Sequence, residues 1–83
     1  MKLTGKQAAV ILTEDGRQVV QLAKIGLPDT PVLLVVIHET EDLGIWIRIE
    51  RGEEEHCFLL RWEYILGIDV PNEVASNLMG LKR

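Results

Sequence analysis

The stretch Ile45 to Glu50 reads Ile-Trp-Ile-Arg-Ile-Glu. Successive side chains on an extended chain point to opposite faces, so Ile45, Ile47 and Ile49 share one face and Trp46, Arg48 and Glu50 the other. β-Branched residues on one side and polar or aromatic ones on the other mark a half-buried strand. A second run follows from His56 to Trp62, with Phe58, Leu60 and Trp62 on its more apolar face. A loop from Arg51 to Glu54 joins the two as a hairpin. It sets Glu50 opposite Glu55, Ile47 opposite Phe58 and Ile45 opposite Leu60, which brings the two apolar faces together. Such a hairpin near the centre of a short chain predicts an antiparallel β sheet there.

The rest of the chain is punctuated in the same way. Turn signals fall at Glu14 to Arg17, Gly26 to Pro31, Glu39 to Gly44 and Arg51 to Glu55. Short apolar runs between regular turns are the pattern of a small β barrel or sandwich. The run Val32 to Ile37 does not alternate, which predicts a strand covered on both faces, or on one face by a partner. Residues Ala8 to Ile25 admit two readings. Asp15-Gly16 favours a hairpin turn between two strands. The rival is a helix from about Glu14 to Ile25, with Thr13 as N-cap, acidic residues in its first turn and a stop at Gly26-Leu27-Pro28. Beyond Val70-Pro71, Asn72 is placed to cap a short helix from Glu73 to Met79, ended by Gly80, with Val74, Leu78 and Leu81 on one side.

Two stretches resemble the Sm-like family, which includes Hfq and the LSm proteins. Val10 to Val19 looks like that family's opening strand, its Asp-Gly turn and the start of its second strand. Phe58 to Ile68 looks like its last two strands, with a tight turn around Arg61 to Tyr64. The resemblance implies a mainly β fold: a small, strongly bent antiparallel barrel of the Sm-like or SH3-like type. Its five to six strands would occupy residues 1–70, and a short C-terminal helix and tail residues 71–83. The resemblance does not carry an RNA site. The family's base-binding Asn has no counterpart here, where the corresponding stretch is Leu33-Leu34.

Composition narrows the function classes. With 83 residues the chain has room for one small domain, and 47% of them are apolar. The mean hydropathy of +0.12 is high for a chain this short. Small domains expose much surface, so an apolar excess predicts burial against another copy or a partner. Nine basic residues against thirteen acidic ones leave a net charge of −4, which disfavours general nucleic-acid binding. The longest uncharged apolar run, Val32 to Ile37, is far too short to span a bilayer. Met1 to Gln7 shows no signal-peptide pattern, and Cys57 is the only cysteine, so a reducing cytoplasm is the expected compartment.

No motif for catalysis, phosphate binding or metal ligation stands out, and neither an enzyme activity nor a cofactor is expected. His38 and His56 are expected at the surface and Cys57 as a buried free thiol. His56 and Cys57 are adjacent in a strand and point to opposite faces, which prevents them from sharing a metal. Trp62 and Tyr64 are expected as a structural pair at the corner between the last two strands. Trp46, Arg48, Leu59 and Arg61 are the candidate interface or ligand face, since all four project from one side of the hairpin. Trp and Arg are frequent interface anchors, and the same pair can stack on a base. Packing beneath another element of the same chain is the plainer role for that face. The function expected is a non-enzymatic interaction or structural module that forms a homo-oligomer. Sm-like binding of RNA or single-stranded nucleic acid is the less favoured alternative.

Overall fold

A computed structural model describes residues 3–71. In chain order it contains β1 (Gln7–Leu12), α1 (Glu14–Leu22), β2 (Val32–Thr40), β3 (Gly44–Arg51), β4 (Glu54–Arg61), a 3-10 turn (Trp62–Tyr64) and β5 (Ile65–Asp69). The strands form one antiparallel sheet in the order β4-β3-β2-β1-β5. The fold is therefore mainly β, with five strands among the described residues. The sheet is not closed into a barrel: β4 and β5 are its two edges. The expected helix from Glu73 to Met79 lies outside the described residues.

The β3–β4 register is the one that the alternation predicts, with Ile45 opposite Leu60, Ile47 opposite Phe58 and Glu50 opposite Glu55. Arg51 and Glu54 also pair, which shortens the connection to Gly52-Glu53. Gly52 has φ 62 at the first central position, where a two-residue hairpin of the II′ kind favours glycine. Gly44 is required for a different reason. A Cβ there would collide with the Leu60 carbonyl oxygen of the neighbouring strand.

The hairpin expected around Asp15-Gly16 is not formed; the rival helix is, in the shorter span Glu14–Leu22. Thr13 caps it, its Oγ1 accepting from the Gly16 amide at 2.9 Å, with Glu14 and Asp15 in the positive first turn. Gly16 therefore serves a close approach, not a turn. A Cβ on it would stand 2.6 Å from the Tyr64 carbonyl oxygen and 2.8 Å from Tyr64 Cβ. The Thr13 amide donates to that same carbonyl at 2.9 Å, so the start of α1 is seated on the corner between β4 and β5. The helix ends at Leu22 with Ala23 as C-cap, and Lys24 beyond it has a φ of 52, the left-handed geometry common just past a helix C-terminus.

The inner face of the sheet holds the core. Ala8, Val10 and Leu12 of β1 meet Leu33, Val35 and Ile37 of β2, Ile45, Ile47 and Ile49 of β3, and Leu60 of β4. Val20 of α1 joins them, and Phe58, Tyr64, Ile65 and Ile68 pack around the margin. The run Val32–Ile37 does alternate in burial: Leu33, Val35 and Ile37 point in, and Val32, Leu34 and Val36 point out.

Candidate functional site

Trp46, Arg48, Leu59 and Arg61 lie together on the outer face of the β3–β4 hairpin. Trp46 stands directly opposite Leu59, Arg48 opposite Cys57, and Arg61 opposite Gly44. Trp46 and Leu59 are half-buried, and both arginines are exposed. Each polar group has a local acidic partner. Arg48 Nε donates to Glu55 Oε1 at 2.7 Å, Arg61 Nε lies 2.7 Å from Glu63 Oε1, and the Trp46 indole N–H donates to Glu41 Oε2 at 2.8 Å. Carboxylates thus answer both cations of this face, and no uncompensated positive stripe forms.

Glu41 binds the second tryptophan as well. Its carbonyl oxygen accepts from the Trp62 indole N–H at 2.9 Å, and its amide donates to the Gly44 carbonyl. The Trp62 amide donates to the Leu43 carbonyl at 3.0 Å. Two indoles therefore hold the short β2–β3 connection, which fixes where β3 begins and how Trp46 is presented. The corner role expected for Trp62 and Tyr64 fits this placement, Tyr64 being half-buried against α1. Sequence reasoning missed Glu41, because its two partners come from β3 and from the far corner of the chain.

The outer face continues onto β2 and β1. Arg48 pairs with Val36, and Val36 with Gln7; the next rows are Leu34 with Ala9 and Val32 with Ile11. Leu34 is 74% exposed, Val32 42% and Ile11 37%, although these strands sit in the middle of the sheet. Gly67 of β5 borders Ile11 and Asp69 borders Ala9. Two open grooves flank Leu34, of about 300 and 280 Å³. The unalternated run pointed to this strand, but the identity of its outward residues had to wait for its register with β1.

Cys57 is exposed on this face beside Arg48, not buried as expected. Its strand is an edge, and its side chain lies on the outer side, where no described residue covers it. His38 and His56 are exposed as expected. His38 occupies a bulge in β2, and His56 Nε2 lies 2.9 Å from Glu54 Oε2. Among the described residues no cluster of three or more His, Cys, Asp or Glu side chains is placed to hold a metal. Among them, too, no helix is long and apolar enough to cross a membrane. A further groove, between α1 and the following loop, has its polar groups engaged. Arg17 contacts Glu14 and Asp29 at 3.2 and 3.1 Å, and Gln21 donates to the Leu27 carbonyl.

No family model, curated protein or solved structure matches the chain.

Proposed function

We propose that the protein is a small non-enzymatic interaction module that self-associates through the outer face of its sheet. The observation that carries this reading is Leu34, 74% exposed at the centre of an apolar surface on the two strands that should be best protected. Single exposed leucines are ordinary, but a row of Val32, Leu34, Val36, Ala9 and Ile11 is a patch of the kind that partners cover. Trp46 and Leu59 extend the same face and supply an aromatic anchor. Identical copies that meet through one self-complementary patch form closed symmetric dimers. The unpaired edges β4 and β5 offer a second route to assembly.

The strongly bent, Sm-like or SH3-like form of the sheet is part of the proposal. The order β4-β3-β2-β1-β5, which brings the last strand beside the first, supports it. So does the core. Among the described residues the one helix, of nine residues, is too short to cover five strands, yet the inner faces of β1, β2 and β3 and Leu60 of β4 are buried in one cluster, as a sheet curled on itself allows. Binding of nucleic acid in the Sm-like manner has less support, since Arg48 and Arg61 already face glutamates and the net charge is −4. A lone exposed thiol at Cys57 suits a reducing cytoplasm.

The test is the mass in solution. Sedimentation equilibrium should give a multiple of 9.4 kDa that falls toward the single chain on dilution. Leu34→Asp should shift the protein to the single-chain mass without loss of its β circular dichroism, and Trp46→Glu should weaken association. A parent chain that stays at 9.4 kDa up to its solubility limit overturns the proposal.

A further inference from the structure

The chain leaves the sheet at the start of a trough on this same outer face. Pro71 lines one of the two grooves, together with Ala9, Leu34 and Asp69. Gln7 and Leu34 line this groove and also the second, which continues over Val36 to Arg48 and Glu50. The two grooves therefore form one trough that crosses β5, β1, β2 and β3 in turn. Neighbouring strands lie about 4.8 Å apart, so the far side of the trough is roughly 14 Å from its start.

Residues 72–83 lie outside the described residues, and their sequence matches the trough in length and polarity. Val74, Leu78 and Leu81 recur at spacings of four and three, the period of an apolar helical stripe. Ten residues beyond Pro71 advance about 15 Å as a helix, the width of the trough. The basic pair Lys82-Arg83 would then fall at the far side, where Glu50 stands. A segment tethered at Pro71 also acts at a high effective concentration, on the order of millimolar, which a second copy in dilute solution does not match.

We infer that residues 72–83 of the same chain occupy this trough, with Val74, Leu78 and Leu81 against Ala9, Leu34 and Val36, and compete there with a second copy. The inference rests on the reading of this face as the self-association surface. It makes the tail a built-in regulator of assembly: the face is covered in cis at low concentration and exchanged for a second copy at high concentration.

A nitroxide on the full chain tests it, attached at Ser76→Cys in a Cys57→Ser background. On a helix, position 76 lies opposite the Val74–Leu78 stripe, so the label stays clear of the contact. In the nuclear magnetic resonance spectrum the amides of Ala9, Leu34 and Val36 should broaden, and those of Gln18 and Glu53 should not. The broadening should survive dilution, and Leu78→Asp/Leu81→Asp should abolish it while raising the mass at a given concentration. Unbroadened amides at Ala9, Leu34 and Val36 in a sample diluted to the single-chain mass overturn the inference. So does broadening seen only when labelled chains are mixed with isotope-enriched unlabelled ones, because the occupant is then a second copy's tail. An unchanged mass in the double variant of a self-associating chain also overturns it. The two proposals fail separately: a chain that stays monomeric but shows broadened amides removes only self-association, and a chain that self-associates at high concentration yet keeps sharp amides after dilution to its single-chain mass removes only the tail.

Discussion

Gly16→Ala should destabilise the protein, although alanine normally improves a helix. At a free helical position the exchange gains about 0.8–1 kcal/mol, because alanine loses less backbone entropy than glycine. At this position the new methyl group meets Tyr64. It would sit 2.6 Å from the carbonyl oxygen, 2.8 Å from Cβ and 3.2 Å from Thr13 Oγ1. The carbonyl oxygen is backbone and Cβ is fixed to it, so no flexible side-chain end can swing away. Ordinary contact needs about 3.5 Å, so α1 must withdraw from the carbonyl oxygen by roughly 0.9 Å. That motion stretches the 2.9 Å bond from the Thr13 amide to the Tyr64 carbonyl. A hydrogen bond of this kind contributes about 0.5–1.5 kcal/mol, and overpacking costs about 1–3 kcal/mol. The helix gain offsets only part of this, which leaves a net loss of about 1–2 kcal/mol. For a domain of this size the melting midpoint should fall by about 4–8 °C per kcal/mol. Urea and thermal unfolding followed by tryptophan fluorescence measure it. Gln18→Ala, on the exposed side of the same helix, is the control and should stay within about 0.5 kcal/mol of the parent. A Gly16→Ala protein as stable as the parent, or more so, would refute the close approach of α1 to the corner.

Two further substitutions probe the local geometry. Lys24→Gly should stabilise the fold by about 1 kcal/mol and so raise the urea midpoint with the slope unchanged, since glycine adopts the φ of 52 found there without steric cost. Glu41→Ala removes the acceptor of the Trp46 indole N–H but keeps the carbonyl that receives the Trp62 indole N–H. The Trp46 indole resonance should therefore move and the Trp62 resonance stay, at a stability cost of no more than about 1 kcal/mol.

Legibility followed the range of the interactions. The β3–β4 hairpin was readable because everything that sets it is local: three isoleucines at period two, a glycine in the turn, and a partner run a few residues on. The four-residue face of Trp46, Arg48, Leu59 and Arg61 followed from the same register. Residues 14–22 were ambiguous because Asp15-Gly16 fits a hairpin turn and Thr13-Glu14-Asp15 fits a helix start. The Gly16 amide bonded to Thr13 Oγ1 agrees with the second, and the space left for Tyr64 gives the glycine its purpose. Cys57 was misjudged because an apolar run does not reveal that its strand is an edge.

By itself the sequence determined a mainly β chain, its central hairpin and the pairing within it, because side-chain alternation and turn chemistry act over a few residues. Tertiary structure alone decided which side of Val32–Ile37 faces outward, since that depends on the ladders to β1 and β3. It also decided that Leu34 stands exposed in the middle of the sheet. The seating of α1 on Tyr64 and the joining of Trp46 and Trp62 through Glu41 belong there too, because each brings together groups that the chain order keeps apart.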